Sequence, residues 1–376
     1  MKKILILAFG FLFACDSNEA IKETNQKDEN SSMQRQSSLY ENVESTFIEN
    51  GLNSSCENNI LVFPDWETYY KTIDMLDDAV DNHCDNFEFS TDPNMPDEDY
   101  EAYAESIGFD EDEPLRKFES DLDFCSLWHK IFDMETNWLA LQGDDDWNEN
   151  QDPDNHFVDE ETERVLLNEG AEVMIGTKEE GYIIYKFFEW GYIEVYNNDL
   201  QALHQINATG IVPNENPNVK VFDEKTTEYP QAPDCKGGVT HRKYFRTGSK
   251  TRIKTVDKMK DFRGAPGPSK SSKIKSKTKY YRKKAGVWTR GKTTLTAGFE
   301  GSYNRLNYFA DWRECGFLRD LTELKTRKRS KVKKKHKGPS DMYFRVLDNQ
   351  LSGVHKRRND VIKKIDYFDG ISFAPT

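Results

Sequence analysis

The chain has 376 residues, of which 36% are hydrophobic, 12% aromatic and 31% charged, and its net charge is −14. Single domains usually contain about 100 to 200 residues, so this length predicts at least two of them. The aromatic content excludes a chain that is disordered throughout, and the lack of any later apolar run near about 18 to 20 residues excludes a polytopic membrane protein.

Residues 1–14 have the organisation of a secretory signal peptide, with Lys2 and Lys3 ahead of an apolar stretch, residues 4–13. That stretch is too short to span a bilayer as a mature helix. The sequence Leu12-Phe13-Ala14-Cys15 resembles the lipobox of bacterial lipoproteins. The resemblance implies cleavage before Cys15, diacylglycerol on its sulfur and acylation of its new amino group. The alternative is an ordinary signal peptide followed by a chance cysteine.

Residues 15–59 are mostly polar, and such a composition does not repay the entropy of ordering. We therefore expect a disordered tether that begins at the lipidated cysteine. Asp16 and Glu19 close behind Cys15 resemble the surface-export tags of lipoproteins in Bacteroidota-type bacteria. The resemblance implies an outer-membrane lipoprotein, on the periplasmic face or at the cell surface, which contacts the membrane through its lipid anchor.

Charge divides the rest of the chain into two parts. Residues 1–235 contain 14 Lys and Arg against 54 Asp and Glu, a net of −40, whereas residues 236–376 contain 38 against 12, a net of +26. The Pro-containing segment 208–238 between them is typical of a linker. We therefore predict an acidic domain, 60–207, and a basic domain, 239–376, that attract each other within the chain.

The acidic part shows both helical and strand patterns, which predict an α+β domain. A short strand at 60–63 precedes a helix with an apolar stripe, and Pro114 opens a long helical run that extends through Phe132. Three strands at 172–175, 182–188 and 192–196 follow, and then a last short helix. The arrangement around Gly170-Ala171-Glu172-Val173 loosely resembles uncharacterised Bacteroidota-type lipoproteins, which implies no activity.

The basic part shows little helical periodicity, and its cations recur at every second residue. A spacing of two places each row of lysine and arginine side chains on one face of a strand. The pattern predicts a mainly antiparallel all-β domain, a sandwich or a small barrel. Tyr280, Tyr281 and Trp288 lie near the rows. The rows are a candidate anion-binding face, made of Lys273, Lys275, Lys277, Lys279, Lys325, Arg327, Arg329, Lys331, Lys333 and Lys335.

Three kinds of partner compete for this face. An exported protein meets anionic glycans and lipopolysaccharide, whereas its secretory address argues against nucleic acid. The third partner is the acidic part of the same chain.

One acidic loop carries oxygen ligands at alternate positions, as calcium requires. Its candidate ligands are Asp144, Asp146, Asn148, Asn150, Asp152 and Asp154. The EF-hand pattern fails, because Gln151 stands where that turn needs glycine and Phe157 stands where a bidentate glutamate belongs. A solvated acidic loop is therefore the alternative to calcium, and no other cofactor is expected.

Five cysteines remain after Cys15, in a compartment where disulfides persist. An odd number leaves at least one thiol free or paired between chains. We favour a bridge between Cys235 and Cys315, and a bridge between Cys84 and Cys125 is a further candidate.

The sequence contains none of the common hydrolase, phosphate-loop or dinucleotide signatures. With 54 acidic residues in one part, pairs of carboxylates at glycosidase spacing arise by chance. We therefore expect a non-catalytic lipid-anchored binding or envelope protein. The alternatives are an exported glycan-acting hydrolase that uses carboxylates and a calcium-binding surface protein.

Overall fold

A computed structural model of the chain describes residues 44–47, 59–144, 147–213, 215–223, 234–260, 272–307, 310, 313–339 and 342–373. The signal peptide and Cys15 lie outside these ranges. The described residues belong to one unit, Val43–Thr376, which includes both the acidic and the basic part. The division into two domains at 208–238 stays a prediction.

The first part contains a six-stranded sheet whose strands lie in chain order. Only β2 and β3 pair in parallel, since the helices of the acidic part connect them. β1 lies within the segment predicted as a tether, and β6 lies within the predicted linker. The strands are β1 (Glu44–Phe47), β2 (Asn59–Phe63), β3 (Glu172–Thr177), β4 (Gly181–Phe188), β5 (Gly191–Val195) and β6 (Val219–Asp223).

Six α-helices lie in the described part of the chain, and two short 3₁₀ turns, Glu149–Gln151 and Pro153–Asn155, precede the fifth. Among the described helices, none combines the length and the apolar character that crossing a membrane requires. The helices are α1 (Trp66–Ser90), α2 (Asp97–Ser106), α3 (Glu113–Asp121), α4 (Leu127–Leu141), α5 (Glu161–Arg164) and α6 (Leu200–Thr209).

The predicted long helix after Pro114 is wrong, because the structure divides it into α3 and α4. Asp123 adopts a left-handed backbone with φ 47°, which ends the helical path. Ser126 then caps α4, and its hydroxyl accepts a hydrogen bond from the His129 amide at 3.2 Å. The apolar spacing continued across this turn, so periodicity alone did not reveal the break.

The basic part is a sandwich of two open, antiparallel sheets, which confirms the predicted fold class: α+β followed by mainly antiparallel β. One sheet has the order β10-β9-β8-β7, with β14 also paired to β9. Its strands are β7 (Thr240–Gly248), β8 (Thr251–Lys260), β9 (Lys273–Lys284), β10 (Val287–Arg290) and β14 (Lys331–Lys337).

The other sheet has the order β12-β11-β16-β17-β18, with β13 and β15 also paired to β11. Met259 and Ile274 of the first sheet pack with Phe299 and Leu351 of the second in one buried core. The strands of this second sheet are β11 (Thr293–Asn307), β12 (Phe317–Asp320), β13 (Glu323–Arg329), β15 (Met342–Arg345), β16 (Leu351–Arg357), β17 (Lys363–Asp366) and β18 (Ser372–Phe373).

A buried polar chain crosses the sandwich core. The Asp257 carboxylate lies 2.8 Å from Nε2 of His355, whose Nδ1 lies 2.9 Å from the hydroxyl of Thr278. All three residues are fully buried. Gly353 passes directly over this carboxylate, and a Cβ at that position would lie 1.9 Å from Asp257 Oδ1.

We predict that Gly353→Ala destabilises the sandwich by about 1 to 3 kcal/mol, because the added methyl group must displace a buried, hydrogen-bonded carboxylate. Urea unfolding followed by near-UV circular dichroism measures the change. The neighbouring Ser352→Ala on the same strand is the control. Equal stabilities for the two variants would contradict the close approach.

Candidate functional site

Six lysines form two facing rows on the sheet surface that the helices cover. Antiparallel register places Lys331 opposite Lys279, Lys333 opposite Lys277 and Lys335 opposite Lys275. We call this set the lysine grid. Like charges directly opposite each other in a sheet are destabilising, so the grid requires anions close above it.

The acidic part supplies those anions from several separate segments. Nearly all of their side chains are largely buried, so each charge depends on a protein partner rather than on water. The carboxylates above the grid are Asp77 of α1, Asp112 before α3, Asp154, Asp159, Glu160 and Glu161.

Five of the six grid lysines have a close carboxylate. Lys279 Nζ lies 2.8 Å from Asp154 Oδ2, and Lys331 Nζ lies 2.7 Å from Asp112 Oδ1. The other close pairs are Lys333 with Asp77 at 2.7 Å, Lys335 with Glu160 at 2.9 Å, and Lys275 with Asp159.

We call the lysine grid and the carboxylates above it the ionic layer. This layer continues onto β8 beside the grid. Lys254 is fully buried, and its Nζ donates to Asp152 at 2.7 Å and to Asp154 at 2.9 Å. Asp154 also accepts from the buried Arg164 at 2.9 Å. Asp154 therefore joins cations from β8, β9 and α5, and its pKa is held well below the ordinary value because Lys254 and its neighbours outweigh the effect of burial.

One acidic stripe on α1 was not among the residues predicted from the sequence. Asp77, Asp81 and Asp85 recur every four residues and lie on one face of α1, opposite β13 and β14. Asp81 pairs with Lys325 at 2.8 Å, and Asp85 pairs with Arg327 at 2.7 Å. The four-residue spacing of these aspartates was the sequence signal for the stripe, but the prediction for this helix included only its apolar face.

The structure therefore brings most of the predicted anion-binding face together against the acidic part. The grid lysines form ion pairs with carboxylates of the same chain. Lys325, Arg327 and Arg329 of β13 likewise pair with aspartates of α1. Lys273 at the start of β9 is also largely buried, and burial lowers its pKa while Glu160 opposes that shift. Tyr281 and Trp288 pack in a buried cluster with Trp138, and Tyr280 lies in the sandwich core.

A small cavity of about 40 Å³ lies between the helices and the grid. Lys275, Lys277 and Lys333 are among the groups that line it from the sheet side, and Cys84 lines it from α1. Burial raises the pKa of the Cys84 thiol to about 12, so this thiol stays protonated near neutral pH. The remaining lining groups are Asp81, Glu111, Asp159, Glu160, Glu161, Arg329 and Lys331.

Three of the six predicted calcium ligands form ion pairs with lysines. Asp152 and Asp154 bind Lys254, and the Asp144 carboxylate accepts from Lys283 at 2.9 Å. Within the described ranges, no three His, Cys, Asp or Glu side chains are grouped to hold a metal ion. Asp146 lies outside those ranges, so calcium binding by this loop stays a prediction.

Cys235 and Cys315 are joined by a disulfide, with their Cα atoms 5.8 Å apart. Cys84 is a free, buried thiol, whereas Cys125 is disulfide-bonded. The candidate bridge between Cys84 and Cys125 is therefore wrong. Their positions on two helices suggested it, but Cys84 faces the ionic layer instead.

No protein-family model matches the chain, and no curated protein matches it. The chain is similar to a crystal structure of a DUF4848 family protein from Bacteroides thetaiotaomicron, with a TM-score of 0.17 and 10% sequence identity. The similarity covers 80% of this chain and 92% of that chain. A TM-score this low carries no argument about function.

The ionic layer predicts an acid-sensitive contribution from Asp77. Burial opposes ionisation, but Lys333 and Lys335 outweigh it and lower the pKa of Asp77 to about 2. An unfolded aspartate titrates near about 3.9, so Asp77 stabilises the fold by about 2 kcal/mol above that pH. This contribution is lost as the pH falls through about 2.

We expect Asp77→Asn to lower the free energy of unfolding by about 2 kcal/mol at about pH 6 and by much less at about pH 2.5. Urea titrations at both pH values measure the difference. Asp78→Asn, at the exposed neighbouring position of α1, is the control. An equal loss at both pH values would show that the carboxylate charge is unimportant.

Proposed function

We propose that this chain is an exported, lipid-anchored, non-catalytic protein of the bacterial outer membrane, whose basic sheet holds its own acidic part. The lipobox-like sequence ending at Cys15 supports the anchor. The pairing of the lysine grid with carboxylates from the helices supports the internal use of the basic face.

Burial of the charges favours an internal role over an external polyanion. Lys275, Lys277 and Lys279 have side chains at most 6% exposed, so a glycan or lipopolysaccharide cannot reach them while the helices are in place. Breaking a buried ion pair by removing one partner costs about 3 to 5 kcal/mol. Opening this face would break several pairs together.

The arrangement also favours a non-catalytic role over a hydrolase. The cavity admits about three water-sized atoms at roughly 10 to 15 Å³ each, whereas a hexose has about twelve heavy atoms. Its carboxylates are bound by protein donors, as Glu111 is by the Ser330 amide at 2.9 Å. Thr278, His355 and Asp257 are arranged like a nucleophile with its base, but they are fully buried inside the sandwich.

We predict that the wild-type protein, expressed in a bacterium with lipoprotein processing, incorporates a labelled fatty acid and stays in the membrane fraction in high salt. Cys15→Ala should abolish the label. Cys84→Ala is the control, because that buried thiol should not be acylated. A wild-type protein without label, released by salt alone, would contradict the anchor.

A second prediction concerns the basic face. In the full chain carrying Cys15→Ala, we expect weak binding to heparin at about 50 mM salt. Replacing Asp77, Asp81 and Asp85 together with Asn should remove a carboxylate partner from each lysine and arginine that they contact. Affinity for heparin should then rise about ten-fold and fall again with added salt.

Asp78→Asn in the same background controls for the change in net charge on α1, and circular dichroism checks that the variants are folded. Tight, strongly salt-dependent binding by the parent chain, unchanged in the triple variant, would show that the basic face serves outside partners.

A further inference from the structure

Lys277 occupies the centre of the lysine grid. Lys275 and Lys279 flank it on β9, and Lys333 lies directly opposite on β14. Its nearest carboxylate oxygen among the described residues is Asp154 Oδ2, at 3.6 Å from Nζ, which is beyond hydrogen-bonding distance. Lys277 is therefore the one grid lysine whose shortest ion pair is longer than a hydrogen bond.

The Lys277 side chain is only 6% exposed, and it lines the cavity. A buried ammonium that lacks a close partner costs free energy, which favours the neutral amine. Burial lowers the pKa of Lys277 to about 7, and the nearby Lys279 and Lys275 add to this shift while Asp154 and Glu161 oppose it. A nucleophilic amine thus faces a small cavity near neutral pH.

The groups around this amine come from every packed element. Asp81 and Cys84 of α1, Glu111 before α3, and Asp159, Glu160 and Glu161 around the start of α5 lie on the helical side. Arg329, Lys331 and Lys333 lie on the sheet side. Asp81 and Lys333 are the more exposed of these, at 44% and 25% for their side chains, so the cavity opens to solvent at their end.

We propose that Nζ of Lys277 is a site of reversible carbamate formation with dissolved carbon dioxide. The nitrogen lone pair forms the new N–C bond, one C=O π pair moves onto oxygen, and the nitrogen releases one proton to water. No oxidant or reductant is needed. This inference is independent of the proposed function.

The cavity and the grid fit this product. A carbamate adds three heavy atoms to the amine, which matches a cavity with room for about three water-sized atoms. The product places an anion among the other five grid lysines, which also face the carboxylates that line the cavity. Lys275, Lys279 and Lys333 are the nearest donors by register. Larger carbonyl compounds do not fit the same volume.

The test uses the full chain carrying Cys15→Ala, incubated with carbon-13 bicarbonate at about pH 8. Triethyloxonium then traps carbamates as ethyl esters, and peptide mapping by mass spectrometry locates the label. An ordinary lysine has a pKa near about 10.4, so we expect about 100-fold more label at Lys277 than at exposed lysines. Besides the carbamate of the α-amino group, carbon-13 NMR should show a second carbamate signal, from Lys277, that disappears at about pH 5.

Lys277→Met removes the reactive amine without adding a charge, and it should abolish the label and the NMR signal of Lys277. Lys283→Met, on the same strand outside the grid, is the matched control and should keep both. The mapping on the parent chain does not depend on either variant. Absence of label at Lys277 in the folded parent, or equal label on the exposed lysines, would overturn the proposal.

Discussion

The ion pairs between the helices and the lysine grid are the constraint on which the rest of this structure depends. Removing an ion from water costs several kcal/mol, and a buried charge is tolerated only with close partners. The rows on β9 and β14 place the six lysines of the grid, with Lys273 and Lys337 beside them, on one sheet face. That face can be covered only by elements that bring carboxylates, so α1, the segment around Asp154 and α5 must lie over it.

Strand β9 connects this layer to the sandwich core. Its lysines alternate with Ile274, Ser276, Thr278 and Tyr280, so one face of the strand contacts carboxylates and the other contacts the second sheet. A change of register by one residue would exchange the two faces. The hydrophobic core and the ionic layer therefore specify the same register.

Opposite charges on two parts of one chain do not by themselves predict a surface for outside ligands. Within the described ranges, many of the opposite charges of the two parts form buried or half-buried pairs across one interface. Replacing a buried ion pair by packed apolar residues is often neutral for stability, whereas removing one partner is strongly destabilising. In this protein the pairs favour one arrangement of the helices on the sheet. Lys277, which has the longest ion pair of the grid, is the lysine for which we propose a reactive amine.

The sequence by itself determined the fold class, because periods of two and of about 3.6 residues report directly which side chains share a face. It also determined the opposed charges and the alternating lysine rows. Only the tertiary structure decided which carboxylate meets which lysine, since Asp77, Asp112 and Asp154 come from segments far apart in sequence. It likewise decided that Cys84 faces the ionic layer and that Lys277 has the longest ion pair of the grid, because pairing depends on three-dimensional distances that no local pattern encodes.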